Sequence, residues 1–247
     1  MNILLVHLGT PCECFIASSV IKGLRKKYIE NHPLNIFMLV HDNESHKIYK
    51  YNNHIKLCYL IDKVPTEFKK RQFDLLINLH PDFTESDHFP VSADEKLGFG
   101  YTENGDNTYK YMYGEDRTPK NIFQMYYILA GLKWKGEGYS LSYNPKKKNR
   151  RNRTGLYIVN KNLFEYVKNK LQLDLSVAKN IQPHKNIFQK LDEINMCENV
   201  VTDDFFTLHQ SLYLKKNVCF LETIDYNYPI ELFKSGKIFK IPRNIIQ

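Results

Sequence analysis

The sequence predicts an α/β fold of two Rossmann-type lobes with parallel sheets, and three observations predict it. Short, nearly continuous apolar runs alternate with longer segments of helical spacing along the chain. Runs of that kind read as parallel strands buried on both faces. A polar, basic, proline-containing stretch from Gly136 to Arg153 interrupts the alternation, which then restarts. Such a stretch reads as a linker. The expected division is an N-terminal lobe at 1–145, a basic linker at 146–153 and a reduced C-terminal lobe at 154–247.

The elements follow in order. Asn2 to His7 is the first strand, and Leu8 to Glu13 a loop. Ile16 to Tyr28 carries Ile16, Val20, Ile21 and Leu24 at helical spacing, with Lys22, Arg25, Lys26 and Lys27 on the wet side. Asn35 to Val40 is the next strand, so the chain opens with a βαβ unit and its right-handed crossover. Ser45 to Tyr51 is a short helix, Lys56 to Ile61 a strand, and Phe73 to Leu79 the strongest strand. Asp94 to Gly100 holds a further strand, and Lys120 to Leu132 a helix stopped by Gly131. After the linker come a strand at Gly155 to Val159 and helices at Leu163 to Leu171 and Ile187 to Ile194. A strand at Asn199 to Thr202, a helix at Thr207 to Leu214 and strands at Asn217 to Leu221 and Lys237 to Pro242 complete the chain.

Composition narrows the class. The 247 residues are 43% hydrophobic and 25% charged, which is globular rather than disordered. No apolar run approaches the ~20 residues of a membrane helix. The N-terminus has no basic leader before its apolar run, so no signal peptide is expected. Five scattered cysteines match no zinc spacing or disulfide framework and point to a reducing, cytoplasmic setting. Formal net charge is +8, part of it in the run Lys146 to Arg153. That run is a solvated linker, or a patch for the phosphates of a nucleic acid or an anionic glycolipid, so peripheral membrane contact stays open.

In open α/β sheets ligands sit beyond the carboxyl ends of the strands, which singles out three loops. His7 to Cys14 contains Gly9, Thr10 and the acid Glu13 ahead of a helix. Two roles are open to that carboxylate: helix cap, or general base facing a ligand. His80 to Pro90 is dense in His and Asp, with His80, Asp82, Asp87 and His88. Its spacing fits no metal signature, so polar contacts to an acceptor are expected and no metal. Asp203 to His209 joins a strand to a helix whose N–H groups suit a diphosphate. Asp204 is placed to cap it, and Thr207 and His209 lie in its first turns.

These blocks, in this order, resemble glycosyltransferase family 9, the ADP-heptose:lipopolysaccharide heptosyltransferases. His7-Leu8-Gly9-Thr10-Pro11-Cys12-Glu13 is similar to that family's opening loop. Phe73 to His80 is similar to its second block, and Asn199 to His209 with Asn217 to Leu221 to its third. The resemblance implies a GT-B architecture, with the C-terminal lobe reduced, and catalysis without a metal or other cofactor beyond the nucleotide-sugar co-substrate. It places Glu13 as general base and Gly9, Thr10, His80 and Asp82 on the acceptor side. Asp204, Thr207 and His209 fall on the donor side, with Lys161 standing in for a missing lysine loop. Phe205-Phe206 replaces the family's Thr-Gly, where glycine lets the backbone approach a diphosphate. That departure implies a different donor or loss of activity.

The expected function is inverting transfer of a sugar from a nucleotide-sugar to a hydroxyl of a glycan, glycolipid or protein. Two alternatives stand beside it. One is an inactive nucleotide-, glycan- or partner-binding protein on the same scaffold. The other is a glycosyltransferase that modifies nucleic acid.

Overall fold

The computed structural model describes residues 1–30, 33–103, 105, 107–108, 120–145, 153–170, 178–183, 186–222 and 236–240. The basic run at 146–152 and the side chains of Asp87 and Lys161 lie outside the described residues. The chain is α/β throughout and divides into two compact units, Met1–Tyr143 and Asn144–Gln247.

The first unit carries strands β1 (Asn2–His7), β2 (Asn35–Val40), β3 (Leu57–Leu60), β4 (Gln72–Asn78) and β5 (Ser92–Gly98). All four pairings are parallel, in the order β3-β2-β1-β4-β5. The apolar runs explain the order of depth. Ile3 to Val6, Ile36 to Val40 and Leu75 to Ile77 are at most 1% exposed, as strands covered on both faces must be. Burying each such side chain contributes about 1.5–3 kcal/mol. One face packs Leu4, Val6, Phe37, Leu39, Phe73 and Leu76 against Phe68, Phe83 and Phe89. Helices α1 (Pro11–Ala17), α2 (Ser19–Lys27), α3 (Asn43–Lys50) and α6 (Ile122–Leu129) also belong to this unit, and α1 packs on both α3 and α6. Two single-turn helices, α4 (Thr66–Lys69) and α5 (Glu85–His88), sit in the connections.

The helix expected at 16–28 is two helices. Thr10 caps α1 and Pro11 begins it, so the helix starts five residues early. Ser18 ends α1 and its hydroxyl donates to the Phe15 carbonyl at 2.7 Å. Glu13 therefore lies inside the first turn of α1 and not in a loop before it. The helix expected at 120–132 is shorter, because Gly131 takes a left-handed φ of 62° just past the C-cap.

The second unit repeats the plan on less chain. Strands β6 (Thr154–Tyr157), β7 (Lys179–Asn180), β8 (Asn199–Thr202), β9 (Asn217–Glu222) and β10 (Gly236–Lys240) form a parallel sheet in the order β10-β9-β8-β6-β7. The two-residue β7 was not expected, being too short to leave a periodic trace. Helices α7 (Lys161–Lys170), α8 (Ile187–Asn195) and α9 (Phe205–Tyr213) complete the described unit. Two helices start earlier than their apolar spacing implied. Lys161 opens α7, and Phe205 and Phe206 form the first turn of α9 instead of a loop. Among the described residues no helix is long and apolar enough to cross a membrane.

Candidate functional site

In each unit the chemistry gathers just past the central strand. β1 is central in the first sheet and β8 in the second. In the first unit the site is built on Gly9. A Cβ placed there would lie 2.7 Å from Glu13 Oε2, 2.7 Å from His7 Cε1 and 2.9 Å from His80 Cδ2. Carbon atoms pack best at roughly 3.5–4.0 Å, so only glycine lets these three side chains converge.

Each of the three is held by a local cause. Thr10 and Glu13 form a reciprocal capping box. Glu13 Oε2 accepts from the Thr10 N–H at 2.7 Å and the Thr10 hydroxyl at 2.8 Å, and the hydroxyl accepts the Glu13 N–H at 3.3 Å. His7 is fully buried, and burial holds its imidazole down at about 3, with His80 adding to the effect. Its Nδ1 accepts the Gly9 N–H at 3.1 Å, so its Nε2–H points to the Tyr126 hydroxyl at 3.0 Å. Cys14 Sγ lies 3.4 Å from the same Nδ1, and burial pushes that thiol up, so it stays protonated. His80 hangs from Asn78, the last residue of β4. Asn78 Oδ1 accepts the His80 N–H at 3.1 Å, and its Nδ2 donates to the Phe99 carbonyl at 3.0 Å.

His80 is 8% exposed and its ring centroid lies 5.5 Å from that of His7. Burial pulls its imidazole below the ordinary value, Glu13 and Asp82 pull the other way, and His41 adds to the lowering. Asp82 presents its N–H at 3.4 Å and its carboxylate at 3.7 Å to His80 Nδ1. Gly9, Thr10, Glu13, His80 and Asp82 are thus one cluster. His7 and His41 join it, and sequence reasoning missed both. The signal was legible, since β1 ends in a histidine, β2 is followed by one, and His80 lies two residues past β4.

In the second unit Asp203 and Asp204 follow β8 and diverge. The Asp203 carboxylate accepts the N–H groups of Val159 at 2.7 Å and Asn160 at 2.9 Å, which fixes the entry to α7. Asp204 caps α9, accepting the Thr207 N–H at 2.8 Å and the Thr207 hydroxyl at 2.5 Å. Its Oδ2 also pairs with Lys190 Nζ at 3.3 Å. Lys190 is 7% exposed and its ammonium lies 3.9 Å from the centre of the Tyr157 ring. The pair and the ring face offset the cost of burying that charge. His209 is fully buried, its ring 4.4 Å from that of Phe205, and burial holds its imidazole down at about 3. Lys190 was also missed. It stands as a lone cation on the apolar stripe Ile187, Leu191 and Ile194, a readable anomaly. Among the described residues no three His, Cys, Asp or Glu side chains are grouped to hold a metal ion.

No family model and no curated protein matches the sequence. Solved structures do match its fold. The chain superposes on the E. coli heptosyltransferase WaaC, solved with ADP-2-deoxy-2-fluoro heptose, with a TM-score of 0.64 and 8% identity, covering 99% of this chain and 94% of that one. The E. coli ADP-heptose LPS heptosyltransferase II gives 0.64 and 12% identity over 98% of this chain and 91% of that one. A family 9 glycosyl transferase from Veillonella parvula gives 0.62 and 12% identity over 96% and 85%. From end to end, this chain has the two-sheet fold of the heptosyltransferases of glycosyltransferase family 9.

Proposed function

We propose that the chain is an inverting glycosyltransferase, moving a sugar from a nucleotide-sugar to a hydroxyl acceptor without a metal. The observation that carries this reading is the convergence of Glu13 and His80 over Gly9, past the central strand of the first unit. In it, Glu13 removes the proton of the acceptor hydroxyl, and Gly9, Thr10, His80 and Asp82 frame that hydroxyl. The acceptor oxygen bonds to the anomeric carbon, and the electron pair of the breaking bond leaves with the nucleoside diphosphate. On the second unit, Asp204, Thr207, His209 and Lys161 serve the donor. Lys190 and the positive end of α9 favour the charge of the leaving diphosphate. The fold neighbours solved with ADP and with an ADP-heptose analogue support a nucleotide-sugar as donor. The acceptor is a glycan, glycolipid or protein, met in the cytoplasm.

The test is nucleoside diphosphate release from a panel of ADP- and UDP-sugars by wild type and Glu13→Gln. Loss of turnover in the variant is expected. Equal turnover by both would remove Glu13 as the base.

One observation favours a second reading, a nucleotide- or partner-binding protein without activity. Phe205 and Phe206 fill the first turn of α9, and Asp203 and Asp204 already take the N–H groups of Val159, Asn160 and Thr207. A binder would still gain about 2.7 kcal/mol at a hundred times its Kd, read as a raised melting temperature with no turnover.

A further inference from the structure

We propose that the first unit docks on an anionic lipid surface through the edge of its sheet where the strands begin. The cations of α2 meet the headgroups there, and Ile29, Tyr51 and Leu57 enter the boundary beneath them.

Two features coincide at that edge, and the first is charge. α2 buries Val20, Ile21, Gly23 and Leu24 and exposes Lys22, Arg25, Lys26 and Lys27. The helix dipole favours the three cations of the last turn. It does not account for Lys22, one turn before Arg25 and Lys26, where like charges repel. The turn after α6 brings two more exposed lysines, Lys133 and Lys135. It is tied to α2, with Lys27 Nζ donating to the Gly131 carbonyl at 3.4 Å and Lys26 pairing with Glu137 at 2.9 Å. Glu137 is buried, and it is occupied by that pair and by the Lys135 N–H. Glu30, just past α2, is an exposed carboxylate at the same end. The cations feel one another. Burial and Lys26 lower the Lys22 pKa against the pull of Glu137, and burial, Arg25 and Lys22 lower that of His54.

The second feature is apolar. Among the described residues of the first unit, the exposed large apolar side chains are Ile29 at 64%, Tyr51 at 59% and Leu57 at 39%. Singly, such residues are ordinary on a surface. Here Ile29 follows α2, Tyr51 follows α3 and Leu57 begins β3. In a parallel sheet those three places share one edge, opposite the carboxyl ends where Gly9, Glu13 and His80 converge. The turn after α3 is joined to the same surface, since Asn52 Nδ2 donates to the Ser140 carbonyl at 2.7 Å and the Asn53 N–H to the Ser142 hydroxyl at 2.8 Å.

Cations beside exposed aliphatic and aromatic side chains suit the headgroup boundary of a bilayer. The phosphates of a nucleic acid would answer the charge and leave Ile29 and Leu57 without a role. Docking by this edge leaves the cluster over Gly9 open on the far side of the sheet.

The test is co-sedimentation of the full chain with vesicles of phosphatidylcholine, alone or mixed with phosphatidylserine. Binding to the mixed vesicles alone is expected, weakening from about 0.01 to 1 M salt as the screening length falls from about 30 to 3 Å. Lys22→Gln, Arg25→Gln and Lys27→Gln combined should lose about 100-fold, at about fivefold per cation near such a surface. Ile29→Ser with Leu57→Ser should lose at least about tenfold with the salt dependence unchanged. Removing Lys63, Lys69 and Lys70, exposed around α4, should cost far less than the α2 triple variant. No binding to the mixed vesicles, or equal binding to phosphatidylcholine alone, overturns the proposal. So does an α2 triple variant that binds like wild type, or no better a match to wild type when the α4 lysines are removed instead. Duplex DNA bound more tightly than the mixed vesicles, with the serine pair binding both as wild type does, overturns it in favour of a nucleic acid.

Discussion

Gly9→Ala isolates the close approach on which the first site depends. Gly9 does not adopt a left-handed backbone, so alanine brings no φ strain there and the effect is steric. The new methyl would meet Glu13 Oε2 and His7 Cε1 at 2.7 Å and His80 Cδ2 at 2.9 Å. Two of these neighbours are pinned. Glu13 Oε2 carries two hydrogen bonds from Thr10, and His7 is held by Gly9 and Tyr126. All three must shift by several tenths of an ångström or more, which places the substitution among overpacking changes costing about 1–3 kcal/mol. The single tryptophan, Trp134, is buried in the first unit and reports that unit alone. Taking about 2 kcal/mol and an m-value of roughly 2–3 kcal/mol/M, urea unfolding followed by Trp134 fluorescence should move down by about 0.7–1 M. A midpoint within about 0.2 M of wild type would show that the cluster yields freely and that the close approach over Gly9 carries no steric cost.

Two further outcomes follow from buried charge. His7 is held down at about 3 in the folded state, against an ordinary imidazole value of about 6.5 in the unfolded chain. Between those values the unfolded state binds the extra proton, so stability falls as pH drops below about 6.5 and continues to fall toward 3. The slope approaches about 1.4 kcal/mol per pH unit well inside that window. His7→Gln should flatten the acid slope of Trp134-monitored stability, and an unaltered slope would clear His7 of that role. Lys190→Met keeps the apolar stem but removes the partner of Asp204 and the cation over Tyr157. Since Asp204 is 27% exposed, the expected cost is about 1–2 kcal/mol, below that of a fully buried pair. Hydrogen exchange at the Leu208 amide, which donates to the Asp204 carbonyl at the start of α9, should quicken accordingly. Unchanged protection there would count against a stabilising Lys190.

The strands were legible because burial on both faces leaves a continuous apolar run, and β1, β2 and β4 each carry one. Helix starts were less so. Apolar spacing locates the middle of a helix, while its first turn is set by capping chemistry that spacing does not register. Thr10-Pro11-Cys12-Glu13 is a readable capping box, yet its residues fall outside the stripe that begins at Ile16. Phe205 and Phe206 belong to α9 for the same reason: Asp204 caps there, two residues before the apolar pattern implied. The site residues Glu13, His80 and Asp204 were reachable from their places after strands. His7 and His41 stand at the same kind of place, but what they face depends on neighbouring strands aligned in the sheet, with His7 level with Val40. Lys190 became meaningful only when folding brought α8 to the ends of β6 and β8.

The divergence of Asp203 and Asp204 has a further consequence for how the second unit opens. One dipeptide anchors the entry to α7 through Val159 and Asn160, and the start of α9 through Thr207. Segments more than forty residues apart in sequence therefore share one latch at the end of the central strand. When that latch releases, the amides of all three residues lose their acceptors together. Their exchange with solvent deuterium should then be correlated, so that the two helix starts behave as one cooperative unit across a long stretch of intervening chain.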